Sequence, residues 1–299
     1  MHRSFPGLAA AVAAVSVSVA AFPACGIHGP YKAEARDTWS HTYSLSKNGE
    51  VSIGNVNGRV DIEGTDGSTV EVQAEKIARA ATEQLANELL PKIPINDHSA
   101  PDFVRIETGR MDGFLIGASF EVRYHVKVPK GATVSGSTVN GTVEVRGLSG
   151  RVNAHTTNGA VIAKDITGGL EARTVNGGVS AQFDAVGSND IILGVVNGGI
   201  RISVPDTAKI TLKATWVNGG VRTNGLNFDV RDTGKRHYEG RLNGGGTQIT
   251  ATTVNGGISI GTGKNGDENS GDFISDIVNS AVKDAVKDAD KTKVDHVAP

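Results

Sequence analysis

Residues 139–182 read VNGTVEVRGLSGRVNAHTTNGAVIAKDITGGLEARTVNGGVSAQ, and a single period runs through them. Gly141, Gly150, Gly159, Gly168 and Gly177 stand nine residues apart. Two positions after each glycine come Val143, Val152, Val161, Leu170 and Val179; four positions after come Val145, Ala154, Ala163, Ala172 and Ala181. Polar residues such as Thr142, Glu144, Asn153, Glu171 and Ser180 fill the places between them. This period-two alternation predicts short strands with one buried face. Small residues at the second inward place predict a thin interior.

A longer period overlies the first. Asn140-Gly141, Asn158-Gly159 and Asn176-Gly177 recur every 18 residues, while Ser149-Gly150 and Thr167-Gly168 occupy the turns between them. Two strands and two turns therefore make one repeat. Asn197-Gly198 and Asn218-Gly219 follow at 21-residue steps, Asn255-Gly256 after 37 more, and an early copy stands at Val56-Asn57-Gly58. Asn-Gly between alternating strands is also a hairpin signal, because both residues tolerate positive φ. An antiparallel meander and a β-solenoid are thus both open. The solenoid accounts for more: in a stack of coils one corner returns once per coil, whereas meander turns are independent of one another. The prediction is an all-β β-solenoid of 18–21-residue coils. Its corner asparagines (Asn57, Asn140, Asn158, Asn176, Asn197, Asn218 and Asn255) form a stacked turn ladder.

Composition agrees and excludes several classes. The chain has 299 residues, 39 of them glycine and only 14 aromatic, so Val, Ile, Leu and Ala must build the core. A net charge of −2 removes the electrostatic reason to expect nucleic acid as a partner. One cysteine excludes an internal disulfide framework.

The repeated Val-Asn-Gly-x-Val, led by Val128-Pro129-Lys130-Gly131-Ala132-Thr133-Val134, resembles the putative-adhesin, domain-of-unknown-function family of exported bacterial proteins. Segments Val51–Gln73, Val104–Val134 and the repeats through Ile260 follow that family's order, about 210 of the 299 residues. The resemblance implies a β-solenoid at the envelope or cell surface and no established catalytic activity.

The termini have a different character. His2 and Arg3 precede an apolar run, Leu8 to Phe22, that reads as a signal peptide over 1–24 and is too short to span a bilayer. Cys25 follows Ala24 and resembles the lipidated cysteine of a lipobox, with Phe22 and Pro23 departing from the pattern. Residues 25–45 read as a linker and 46–128 as an N-terminal β module. Within that module Leu85, Leu89 and Leu90 ahead of Pro91 predict a short helix over 82–90. The repeats occupy 129–260, a flexible linker 261–271, an amphipathic helix 272–290, and a disordered tail 291–299. The helix is read either as a cover for the open end of the stack or as a docking element for a partner or a membrane surface.

Catalytic chemistry has few signals in this sequence. The eight histidines make no metal-ligand spacing. No Gly-x-Ser-x-Gly elbow and no phosphate loop occur. Glu144 and Glu171 fall on opposite faces in a two-layer coil, which separates the acids that a glycosidase would need together. No metal or cofactor is expected. The remaining candidate is an outward face carrying Arg146, Arg151, His155, Lys164 and Arg173. The expectation is therefore a non-catalytic, exported envelope protein that offers an adhesin-like interaction or scaffolding surface to a glycan or protein. Membrane contact is expected only through a lipid on Cys25. The alternatives are a polysaccharide-binding or polysaccharide-active β-helix and a scaffold that polymerises end to end.

Overall fold

The computed structural model describes residues 32–109 and 117–262. The expected signal segment, Cys25 and the helix expected over 272–290 lie outside the described residues.

The described residues are all-β with one short helix. Strands β1 (Ala33–Ser44), β2 (Glu50–Gly54), β3 (Val60–Thr65) and β4 (Thr69–Ala80) precede helix α1 (Glu83–Leu89). Strands β5 (Ile95–Ala100), β6 (Phe103–Thr108) and β7 (Ala118–Pro129) follow it. Short strands come next: β8 (Thr133–Asn140), β9 (Val143–Arg146), β10 (Val152–Asn158), β11 (Val161–Lys164), β12 (Leu170–Asn176), β13 (Val179–Gln182), β14 (Ile191–Asn197) and β15 (Ile200–Val204). The last four are β16 (Ile210–Asn224), β17 (Asp229–Thr233), β18 (His237–Leu242) and β19 (Thr247–Thr262).

The repeat segment builds two parallel ladders. In the first, β8, β10, β12 and β14 align Val134, Val152, Leu170 and Ile191 side by side. In the second, β9, β11, β13 and β15 align Val143, Val161, Val179 and Ile200. All eight of these side chains are buried. Burying one Val or Leu is worth about 1.5–3 kcal/mol, and slipping a strand by one residue would turn its whole apolar set outward. Register is therefore strongly specified in every repeat. Alanines at the second inward place (Ala154, Ala163, Ala172, Ala181) keep the two ladders close.

Helix α1 starts where Thr82 accepts a hydrogen bond from the Leu85 N–H at 3.3 Å, and a 3-10 turn over Leu90–Lys92 carrying Pro91 ends it. Ala86 and Leu89 seat the helix on the core.

Three expectations need correction. Residues 33–44 are not linker: β1 pairs with β4 along all twelve positions, anchored by buried Ala35 and Tyr43. The N-terminal module is not separate from the repeats, since β2 pairs with β8 and β3 with β9, and a single apolar cluster runs from Ala35 to Ile260. The last repeats do not stack in chain order. Strand β19 lies between β14–β15 and β16, so the 255 corner sits between the 197 and 218 corners. A repeat inserted out of order satisfies the same hydrogen bonds as one added in order, so period alone does not reveal it.

Antiparallel strands border both ends. The set β1–β4–β7 flanks β3, and β17–β18 flank the first half of β16. At the N-terminal end the Tyr43 hydroxyl donates to Asp97 Oδ2 at 2.7 Å, tying β1 to β5. At the other end Leu226 is buried, while Phe228 and Tyr238 pack on the core and meet edge to face at 6.2 Å.

Candidate functional site

The asparagines of the Asn-Gly pairs form one continuous line of hydrogen bonds. The Nδ2 of Asn140 donates to Oδ1 of Asn57 at 2.7 Å, Asn158 to Asn140 at 2.9 Å and Asn176 to Asn158 at 2.9 Å. Asn197 donates to Asn176 at 2.9 Å, Asn255 to Asn197 at 2.8 Å and Asn218 to Asn255 at 2.8 Å. All seven asparagines stand in one line with one polarity. The backbone repeats the pattern: the N–H of Gly58, Gly141, Gly159, Gly177 and Gly198 each donates to the carbonyl of the next asparagine at 2.8–2.9 Å. Gly159 adopts φ 147°, and a Cβ there would collide with the Gly141 carbonyl oxygen. Only glycine fits so close a stack.

A second row lies beneath the asparagines. Thr138, Thr156, Thr174 and Thr253 are buried, and each hydroxyl donates to the glycine carbonyl of the neighbouring corner, at 3.1, 2.9, 2.9 and 3.2 Å respectively. Their Thr-x-Asn-Gly spacing is a sequence signal that the Val-Asn-Gly reading passed over. Beside the asparagines, on the outer face, runs a row of valines. Val139, Val175, Val196, Val254 and Val217 are 37–44 % exposed, with Thr157 continuing the row. Each solitary exposed valine is ordinary; a straight row of them on one edge is a patch.

The basic residues do not converge. Arg146 and Lys164 lie on the second ladder, whereas Arg151, His155 and Arg173 lie on or beside the first. Most are paired with acids. Arg146 reaches Glu63 at 2.9 Å, Lys164 reaches Glu144 at 3.2 Å and Arg173 reaches Glu171 at 2.6 Å. Hydrogen bonds from Arg146 and Arg173 hold the Glu63 and Glu171 carboxyls below their usual range. Burial lowers the His155 pKa, against the pull of Glu171, which favours protonation. Glu144 points outward yet is only 5 % exposed, because Arg59 and Lys164 lie over it.

Two open hollows flank the corner edge and its opposite side. One, of about 500 Å³, sits at the Asn57 end beside Arg59, Arg79, Phe120 and Arg123. The other, of about 770 Å³, lies among Asp184, Asp190, Lys209 and Thr247. In the first hollow every arginine is engaged: Arg59 with Asp61 and Glu144, Arg79 with Glu34 and Glu121, and Arg123 with Glu75 and Glu121. Near the second, the Asp165 carboxyl is raised by burial and by its hydrogen-bonded neighbour Asp184. Among the described residues no group of three or more His, Cys, Asp or Glu is placed to hold a metal ion, and no helix is long and apolar enough to cross a membrane.

No family model matches the chain, and no curated protein matches it. Among solved structures the chain is similar to a "putative cell adhesion protein" from Clostridium sporogenes, at 13% identity and TM-score 0.42, over 76% of this chain and 100% of that one. It is also similar to a "putative adhesin" from Bacteroides fragilis, at 13% identity and TM-score 0.26, over 78% and 98%. A "putative lipid binding protein" from Parabacteroides distasonis aligns at 12% identity and TM-score 0.28, over 76% and 97%.

Proposed function

We propose that this chain is a non-catalytic, exported β-solenoid whose corner edge is an interaction surface at the bacterial envelope. The observation that carries the reading is the line of seven asparagines and its neighbouring row of exposed valines. The amides satisfy one another, so the edge is held rigid before any partner arrives. Preorganisation of this kind lowers the entropic cost of binding. Corners repeat at the strand spacing of about 4.8 Å, which suits an extended partner with its own repeat. The apolar run Leu8–Phe22 supports export, and the ion-paired outer faces fit a solubilising role.

The test uses the full chain and a variant with Val139, Val175 and Val196 changed to lysine. These side chains face outward, so the thermal midpoint should stay within about 2 °C of the parent. Binding to isolated envelopes should fall at least tenfold. Equal binding by the variant would remove the edge from consideration, and release of sugar reducing ends from any envelope glycan would overturn the non-catalytic reading.

A further inference from the structure

The stack ends on a rung that is built to be continued. Among the described residues, strand β16 is the outermost strand of both ladders, and described strands cover its outer side only in part. Strand β18 pairs with Ile210–Thr215, and Trp216 N–H donates to the Arg236 carbonyl at 3.0 Å. From Val217 to Asn224 no described strand pairs with that side.

The other borders are guarded differently. Strand β17 is five residues long, carries Asp229, Arg231 and Asp232 and has a bulge. Strand β5 is six residues long, with Pro94 and Pro101 at its ends. Strand β1 is long but bears Glu34, Arg36 and Asp37. Charge, bulges and short length are the usual protections of a sheet edge. The eight-residue segment 217–224 has one charge, Arg222, and no bulge.

The polarity of the ladder says what fits there. At every internal corner the glycine N–H donates to the next asparagine's carbonyl, and the next asparagine's Nδ2 donates back to Oδ1. Asn218 donates to Asn255, which leaves its own Oδ1 facing outward as an acceptor. Gly219, with φ 152°, repeats the corner geometry and presents its N–H to the same side. One asparagine in an extended strand satisfies both groups at once.

We infer that Val217–Asn224 is a strand-addition site that takes an extended polypeptide segment of a partner protein, parallel to β16, with Asn-Gly at the corner. Strand addition draws affinity from the main chain and specificity from a few side chains. The N-terminal face of a second copy does not supply the segment. Its last rung, Asn57, is already covered by β7, whose Val122 N–H donates to the Asn57 carbonyl at 2.8 Å. The site shares Val217 and Asn218 with the corner edge, but the lysine variant that tests that edge changes only Val139, Val175 and Val196 and leaves β16 intact, so the fate of one reading does not decide the other.

The probe is a fluorescent octapeptide with the sequence of residues 254–261, VNGGISIG, carrying a Lys-Lys tag, titrated into the full chain by anisotropy. Saturable binding is expected. Replacing the peptide's asparagine by aspartate removes the Nδ2 donor and should weaken binding about tenfold. Thr223→Pro should abolish binding: like Gly219, position 223 turns its N–H outward, so proline blocks the edge without removing a bond to β19. Its circular dichroism and thermal midpoint should match the parent. Equal binding of both peptides, or undiminished binding by Thr223→Pro, would overturn the site. So would a dimer of the full chain in sedimentation that Thr223→Pro converts to monomer, because the edge would then be filled by a second copy.

Discussion

A single amide is the smallest unit that matters here. Asn158 donates one ladder bond and accepts another, both at 2.9 Å. Asn158→Ala removes both and should cost about 1–2 kcal/mol in urea unfolding. Gly159→Ala should cost more, about 3 kcal/mol or above, since its Cβ meets a carbonyl oxygen and its φ of 147° is foreign to other residues. The carboxylates divide by sign. Glu63 and Glu171 are depressed by arginine hydrogen bonds, so their contribution is present above the unfolded value of about 4.3 and is lost as pH falls through the folded values. Asp165 is raised by burial and by Asp184, so its contribution is full at acid pH and is lost as pH rises through its folded value. Asp165→Asn should therefore raise the thermal midpoint at pH 7 and leave it nearly unchanged at pH 3. Asparagine also accepts the φ of 54° found there. A gain at pH 3 as large as that at pH 7 would count against this account.

Elements differ in how openly they declare themselves. The strands between Thr133 and Val204 each show inward Val, Leu or Ile at fixed offsets from glycine, and their pairing follows from that alternation. Helix α1 declared itself through leucine spacing and Pro91. Strand β1 did not: of its twelve residues only Ala35 and Tyr43 are buried, because it is a border strand with much of its inner side open. The loop residue Leu226 is equally silent in sequence, yet it is buried in the core beside the outermost rung. Leu226→Ala should cost about 2–4 kcal/mol in chemical denaturation and increase binding of a hydrophobic dye. A loss below 0.5 kcal/mol would mean that Leu226 does not seal that end.

At the scale of the molecule, both ends of the apolar cluster are closed by described residues: α1, Tyr43 and Asp97 at one end, and Leu226, Phe228 and Tyr238 at the other. Deleting 263–299 should consequently leave the urea midpoint unchanged. A large fall would assign the tail a structural role. The out-of-order insertion of β19 joins residues 58 positions apart at the Asn197–Asn255 rung, so the C-terminal third must close a long loop before that rung forms. Arg146, Arg151, His155, Lys164 and Arg173, expected to form one binding face, are spread over two ladders, and Arg146, Lys164 and Arg173 are paired with acids, which leaves the asparagine line as a continuous feature of the described surface.

The amino-acid sequence by itself determined the strand period, the inward and outward assignment of each repeat, and which asparagines recur at the same place in it. These depend on local spacing, and a period of two or eighteen is written in one dimension. Tertiary structure alone decided that Asn255 stacks between Asn197 and Asn218, that residues 33–44 are a strand, that Glu144 is buried while facing outward, and that no described strand pairs with the outer side of Val217–Asn224. Each of these depends on which chemically equivalent edge a distant segment reaches, and equivalent edges have the same sequence signature.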